Sequence, residues 1–201
     1  MENTVSQAAL KPVIMAVPDI IASWTGRRRV LALSRLARAA ARQSARQSGV
    51  ILGRMAKDND GVPLPANGWF WSVSHKPSFV AGVAGTTPLG IDIESVRPRS
   101  RNLFHKIADR KEWQLGGEDE WQLFYRFWTA KEAVLKAVGI GMRGLSDCRI
   151  VAVKNPHHLT LSYRGEIWQV RQSMAHGHLA ALAQNDRPVR WRWPVMGQTH
   201  A

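Results

Sequence analysis

The sequence predicts an α+β fold of two similar subdomains in one chain (a pseudo-dimer), each a small, mostly antiparallel sheet packed on a long helix. Three observations predict it. Residues 30–48 and 118–138 each carry apolar side chains at helical spacing. Short strand-like runs flank both stretches, punctuated by Gly, Pro and Asn turns. No apolar run approaches the roughly 20 residues needed to cross a bilayer, so each helix must bury one face against protein. The boundary falls near residues 85–89, giving an N-terminal subdomain 1–87 and a C-terminal subdomain 88–201.

In chain order, residues 12–17 (Pro-Val-Ile-Met-Ala-Val) read as a buried strand ended by Pro18-Asp19. The helix over 30–48 stops at Gly49. Arg35, Arg38, Arg42 and Arg46 follow offsets of 3, 4 and 4 and share one stripe. A solvated face is the ordinary meaning of such a stripe. Here nine Lys/Arg lie between Asp19 and Asp58 with no acidic residue among them, which favours an anion-binding face. Residues 58–65 form a turn-rich loop. Residues 69–74 read as a strand with Trp69, Trp71 and Val73 on one face. Strands at 79–84 and 89–93, joined by Gly85-Thr86-Thr87-Pro88, suggest a hairpin or meander.

Residues 101–115 read as a helix broken at Gly116-Gly117. The acidic start of the next one, Glu118, Asp119 and Glu120, suits a positive dipole end. Gly139-Ile140-Gly141-Met142-Arg143-Gly144 matches a dinucleotide-binding pattern literally, but it follows a helix instead of a strand, so it is read as a flexible turn. Strands at 148–153, 158–163, 166–171 and 178–183 complete the fold, and the tail from Arg187 is expected on the surface.

The formal net charge is +13, which favours nucleic acid, anionic membrane, nucleotide cofactors or an acidic protein as partner. The single cysteine, Cys148, excludes an internal disulfide and a Cys-based zinc site. No signal-peptide pattern opens the sequence, and a cytoplasmic setting with no membrane partner is expected.

Two stretches concentrate chemistry. In Gly90-Ile91-Asp92-Ile93-Glu94, strand alternation points Asp92 and Glu94 to one face. In Trp128-Thr129-Ala130-Lys131-Glu132-Ala133-Val134-Leu135-Lys136, Glu132 and Lys136 lie one helical turn apart. Three carboxylates and a lysine suit a divalent cation bound to a phosphorylated ligand. Each residue has an ordinary alternative: Asp92 capping a turn, Glu94 paired with Arg97, Glu132 paired with Lys136 or Lys131, His75 and Trp128 structural. The combination and order of the motifs favour the site.

These two stretches, 33 residues apart, closely resemble the 4′-phosphopantetheinyl transferases, in the longer surfactin-synthetase-activating (Sfp-like) type. Asp60-Gly61-Val62-Pro63 and Ser72-Val73-Ser74-His75 resemble weaker motifs of the same family, so the likeness covers about residues 35 to 150. The resemblance implies transfer of the phosphopantetheine arm of coenzyme A to a serine of an acidic apo carrier protein. It implies dependence on Mg²⁺, with Mn²⁺ an admissible substitute, and release of 3′,5′-ADP. It implies Asp92, Glu94 and Glu132 as metal ligands, Asp92 also facing the cofactor. Lys136 would contact the pyrophosphate, and Ser74 and His75 would lie near the nucleotide phosphates. Arg38 would meet the adenosine 3′-phosphate. Glu132 and Lys136 are the expected catalytic pair, with Glu132 accepting the serine proton directly or through water. One departure is Lys76, where the family often has Ser. A monomer is expected, since one chain supplies both halves. A catalytically silent coenzyme A or carrier binder and a basic nucleic-acid-binding protein stay open as alternatives, nucleic acid ranked last.

Overall fold

The computed structural model describes residues 8–116 and 120–195; Gly117, Glu118, Asp119 and the end of the tail lie outside them. The chain runs β1 (Val13–Ala16), a one-turn α1 (Asp19–Ala22), α2 (Gly26–Arg46), β2 (Phe70–His75), β3 (Phe79–Gly85) and β4 (Gly90–Ser95). Two short helices follow, α3 (Phe104–Ile107) and α4 (Arg110–Trp113), then the long α5 (Glu120–Val138). The chain ends in β5 (Cys148–Asn155), β6 (His158–Tyr163), β7 (Glu166–Ala175) and β8 (His178–Gln184). The result is a mixed α+β fold with two antiparallel sheets and a long helix on each.

The first sheet has the order β1-β3-β2. α2 lies on it through Leu33 and through Ala37, Ala40, Ala41 and Ala45, alanines that let the helix backbone come close. Gly82 on β3 completes the approach: a Cβ there would sit 2.3 Å from the backbone nitrogen of Ala41.

β4 does not pair with β3 as a hairpin. Both edges of β3 are already taken, by β1 and β2. β4 instead pairs with β8 in a five-stranded antiparallel sheet of order β4-β8-β7-β6-β5. α5 packs on this sheet through Phe127, Ala130, Ala133 and Val134. Gly90 is the counterpart of Gly82: its Cβ would fall 2.0 Å from the carbonyl oxygen of Ala133. Ile91 and Ile93 join Leu10, Ile14, Phe79, Val83 and Leu182 in a core shared by both halves. Strand alternation then turns Gly90, Asp92 and Glu94 to the other face, toward α5.

The helix expected over 101–115 is broken earlier than expected. Asp109 accepts a hydrogen bond from the Glu112 backbone N–H while the Glu112 carboxylate accepts from the Asp109 N–H, a capping box that starts α4 afresh. Glu112 is also a buried hub: it pairs with Lys131 of α5 at 2.6 Å and accepts from Ile150 N–H of β5 at 2.8 Å. The 139–144 stretch leads into a 3-10 turn over Gly141–Asp147, with Gly139 and Gly141 at φ of +79° and +62°. The tail packs, as far as it is described: Leu10 and Val13 bridge in parallel to Val189 and Arg192, and the Trp193 indole donates to Ser173 Oγ at 2.9 Å.

Candidate active site

The two sheets meet edge to edge, and serine side chains replace a hydrogen-bond ladder there. Ser72 Oγ accepts from Ile91 N–H at 3.0 Å, and Ser74 Oγ donates to Asp92 Oδ1 at 2.8 Å. This stitch holds Asp92 and Glu94 of β4 beneath Glu132 of α5. The carboxylates of Asp92, Glu94 and Glu132 each offer an oxygen, all within 4.8 Å of one another. Asp92 and Glu94 are 1% and 3% exposed, so their charges cannot lean on bulk water.

Lys136 supplies one of two close cations. Its Nζ donates to Asp92 Oδ1 at 2.7 Å and to the Ile91 carbonyl at 3.2 Å, and stands 3.9 Å from Glu132 Oε2. The i,i+4 pair within α5 is therefore the looser contact, and the bond across to β4 is the tighter one. Lys131 points the other way, to Glu112. Glu94 Oε1 accepts from the Trp128 indole N–H at 2.9 Å and pairs with Lys76 Nζ at 2.6 Å. Its partner is Lys76, not Arg97.

Crowding sets the charge states. Burial, then the neighbouring Asp92 and Glu94 charges, push the Glu132 carboxyl up to about 8, with Lys136 only partly offsetting them. Burial pulls Lys136 down, but the Asp92 and Glu132 carboxylates outweigh it, and its ammonium is held more firmly than usual. His75 is held below the ordinary imidazole range by burial and by Lys136, Lys76 and Lys57. Lys57 is itself lowered by burial, then by Arg38 and Lys136. Cys148 is buried and its thiol is pushed up to about 12 by that burial, so it is no nucleophile near neutrality.

One carboxylate oxygen has no partner. Asp92 Oδ2 is buried without a hydrogen bond among the described residues. A hard divalent cation at the cluster would satisfy it, and the all-oxygen donor set fits such an ion. The cluster also lies between two cavities. One, of about 380 Å³, is lined by Lys136, Lys57, Asp60, Val62, Met142 and Arg143 among others. The other, of about 300 Å³, is lined by Glu94, Glu132, Lys76 and Arg99 with the apolar side chains of Leu103, Ile107 and Trp128.

Of the residues singled out from the sequence, Asp92, Glu94, Glu132, Lys136 and Ser74 converge here, and His75 lies close enough to feel the charges of Lys136 and Lys76. The Ser74 hydroxyl is committed to Asp92. Arg38 stands at the margin, bonded to Ser34 Oγ at 2.9 Å, while Arg35, Arg42 and Arg46 are exposed. Sequence reasoning missed Lys57; it read Trp128 as core, and Trp128 does pack against the core, but its hydrogen bond to Glu94 was missed. Trp128 stands four residues before Glu132 on the same helix face, a spacing that already placed its indole beside the carboxylates.

Comparison with known proteins gives the family. The chain is 33% identical over 97 residues to the 4′-phosphopantetheinyl transferase HetI of Nostoc sp. strain PCC 7120, covering 45% of this chain and 41% of that protein. It is 30% identical over 120 residues to the 4′-phosphopantetheinyl transferase AcpT of Escherichia coli K12, covering 56% and 57%. A putative 4′-phosphopantetheinyl transferase of Synechocystis is 38% identical over 85 residues, 38% of this chain and 33% of that one. The matches thus span about half, or less, of those relatives. The stretch that carries β4, α5 and all three carboxylates lies inside residues 88–190, slightly more than half of the chain, and that region matches the family as a whole: the chain belongs to the 4′-phosphopantetheinyl transferase superfamily.

Proposed function

We propose that the protein moves the 4′-phosphopantetheine arm of coenzyme A onto a serine hydroxyl of an acidic apo carrier protein, releasing 3′,5′-ADP, as an enzyme of the holo-[acyl-carrier-protein] synthase kind and of the longer, two-half type. The observation that carries this reading is the convergence of Asp92, Glu94 and Glu132 oxygens within 4.8 Å, with Lys136 beside them, inside the family-matching region. Asp92, Glu94 and Glu132 would hold a divalent cation, Mg²⁺ or Mn²⁺. Such an ion, when bound, neutralises phosphate oxygens and favours attack at phosphorus.

The chain's own groups supply the rest. Lys136 sits on the wall of the 380 Å³ cavity and is fixed by Asp92, so its ammonium can offset charge on the leaving 3′,5′-ADP phosphate. Lys57 and Arg38 add positive charge on the same side, toward the nucleotide's phosphates, near Ser74 and His75. Glu132 accepts the serine proton, directly or through water. The two halves, 1–87 and 88–201, would bind coenzyme A in the cleft between them, within a monomer working in the cytoplasm.

Intact-mass spectrometry of an apo acyl carrier protein tests the reading. Incubation with this protein, coenzyme A and Mg²⁺ should add one phosphopantetheine, and EDTA should abolish the gain. No gain on acyl or peptidyl carriers, with the protein folded, would overturn it in favour of a silent binder.

A further inference from the structure

The carboxylate cluster already carries two bonded cations. Lys136 pairs with Asp92 at 2.7 Å and Lys76 pairs with Glu94 at 2.6 Å. Three carboxylates against two ammonium groups leave at most one uncompensated negative charge. That is little to draw a strongly hydrated dication out of water. Lys136 is fixed on a helix and donates to the Ile91 carbonyl as well as to Asp92. Lys76 is placed differently. Its backbone N–H is tied to the Phe79 carbonyl at 2.8 Å in the β2–β3 turn, while its side chain is 30% exposed and, among the described residues, is anchored by Glu94 alone. It lines the 300 Å³ cavity together with Glu94 and Glu132.

We propose that Lys76 is a resident counter-ion of the cluster, holding the position of a divalent cation at Glu94 until an anionic diphosphate arrives. This rests on the function proposed above. A cation approaching Glu94 alone meets the Lys76 ammonium at close range and must displace it into solvent. A diphosphate changes the balance. Its negative charges compensate Lys136 and give Lys76 a new anion to pair with, so Glu94 is freed as the cation binds. Cation and diphosphate therefore enter together, each raising the affinity of the other by the same factor. Trp128 keeps its hydrogen bond to Glu94 Oε1 throughout and holds the carboxylate in place while its counter-ion changes.

Titration of the full chain with Mn²⁺, followed by the loss of free Mn²⁺ signal in electron paramagnetic resonance, tests this without any turnover. Wild type, Lys76→Met and Lys76→Arg are compared with and without coenzyme A. Without coenzyme A, Lys76→Met should bind Mn²⁺ at least tenfold more tightly than wild type, and Lys76→Arg should stay near wild type. Coenzyme A should tighten Mn²⁺ binding more in wild type than in Lys76→Met. Structural damage loosens a metal site, so a gain in affinity cannot come from misfolding. Equal or weaker Mn²⁺ binding by Lys76→Met without coenzyme A, while every variant binds Mn²⁺ with it, overturns the role of Lys76 alone. No Mn²⁺ binding by any folded variant, with or without coenzyme A, overturns this role and the proposed function together.

Discussion

Glu132 concentrates the consequences at the residue scale. Among the described residues it is the least fixed of the three carboxylates: Asp92 has Ser74 and Lys136, Glu94 has Trp128 and Lys76, and Glu132 has only the 3.9 Å contact to Lys136. Replacing it with Gln should lower kcat by at least about 100-fold while the KM for coenzyme A moves only a few-fold, the signature of a loss felt in the transition state. Near-wild-type turnover would remove both its metal and its base role. The same residue gives the metal-free protein a pH dependence. Its folded carboxyl titrates at about 8, above the ordinary value of 4.5, so the folded state holds a proton that the unfolded chain has released. This contribution to stability is fully present below about pH 4.5 and is lost as pH climbs through about 8. Thermal melts in EDTA between pH 6 and 9 should show wild type losing stability on the alkaline side more steeply than Glu132→Gln. Parallel curves would mean that the proton is not there.

At the scale of elements, two glycines decide how closely the long helices approach their sheets. A Cβ at Gly90 meets the Ala133 carbonyl at 2.0 Å, and one at Gly82 meets Ala41 at 2.3 Å; in both cases the obstacle is backbone and cannot swing away. Gly90→Ala should destabilise the fold by about 3 kcal/mol in denaturant unfolding, and Gly82→Ala by a similar amount. Gly90→Ala should also cost activity in whatever fraction stays folded, because Asp92 and Glu94 ride on the displaced strand; an unchanged unfolding midpoint would show that the helix is not seated as described. The buried Lys131–Glu112 pair makes a parallel case. Lys131→Met removes the nearest cation from a carboxylate that is 5% exposed but leaves it Arg149 at 3.2 Å and the Asp109 and Ile150 N–H donors, so about 2 kcal/mol of stability should be lost. Much of this layer was legible in the sequence. The Asp92/Glu94 alternation and the Glu132/Lys136 turn follow from strand and helix periods alone. The partner of β4 was not legible, because a turn such as Gly85-Thr86-Thr87-Pro88 says only that the chain bends. That β3 has no free edge is a property of the whole first sheet. Asp109 hid in the same way: its hydrogen bond to the Glu112 backbone splits a helix that apolar spacing alone would continue.

The molecule as a whole is a basic body that gathers three of its fifteen acidic residues at one place. The charge of +13 contrasts with a cluster of three buried or half-buried carboxylates. The excess charge was plain from composition, but its division of labour was not. Lys57, Lys76 and Lys136 approach one another only because the edges of β2 and β4 meet through Ser72 and Ser74, a contact between residues far apart in sequence. The exposed arginines of α2 should steer an acidic carrier by long-range attraction, so raising salt from about 50 to 300 mM should raise the carrier KM several-fold. An unchanged KM would remove the steering role.

A cation held by Asp92, Glu94 and Glu132, with Lys136 on its phosphate side, would be visible in a crystal. Crystals grown with Mn²⁺ and coenzyme A, measured at the manganese absorption edge, test it most directly. An anomalous peak within roughly 2.2 Å of Asp92 Oδ2, with the diphosphate against Lys136, is the expected result. A peak elsewhere, or coenzyme A bound with its diphosphate away from Lys136 and no peak at the cluster, would contradict it.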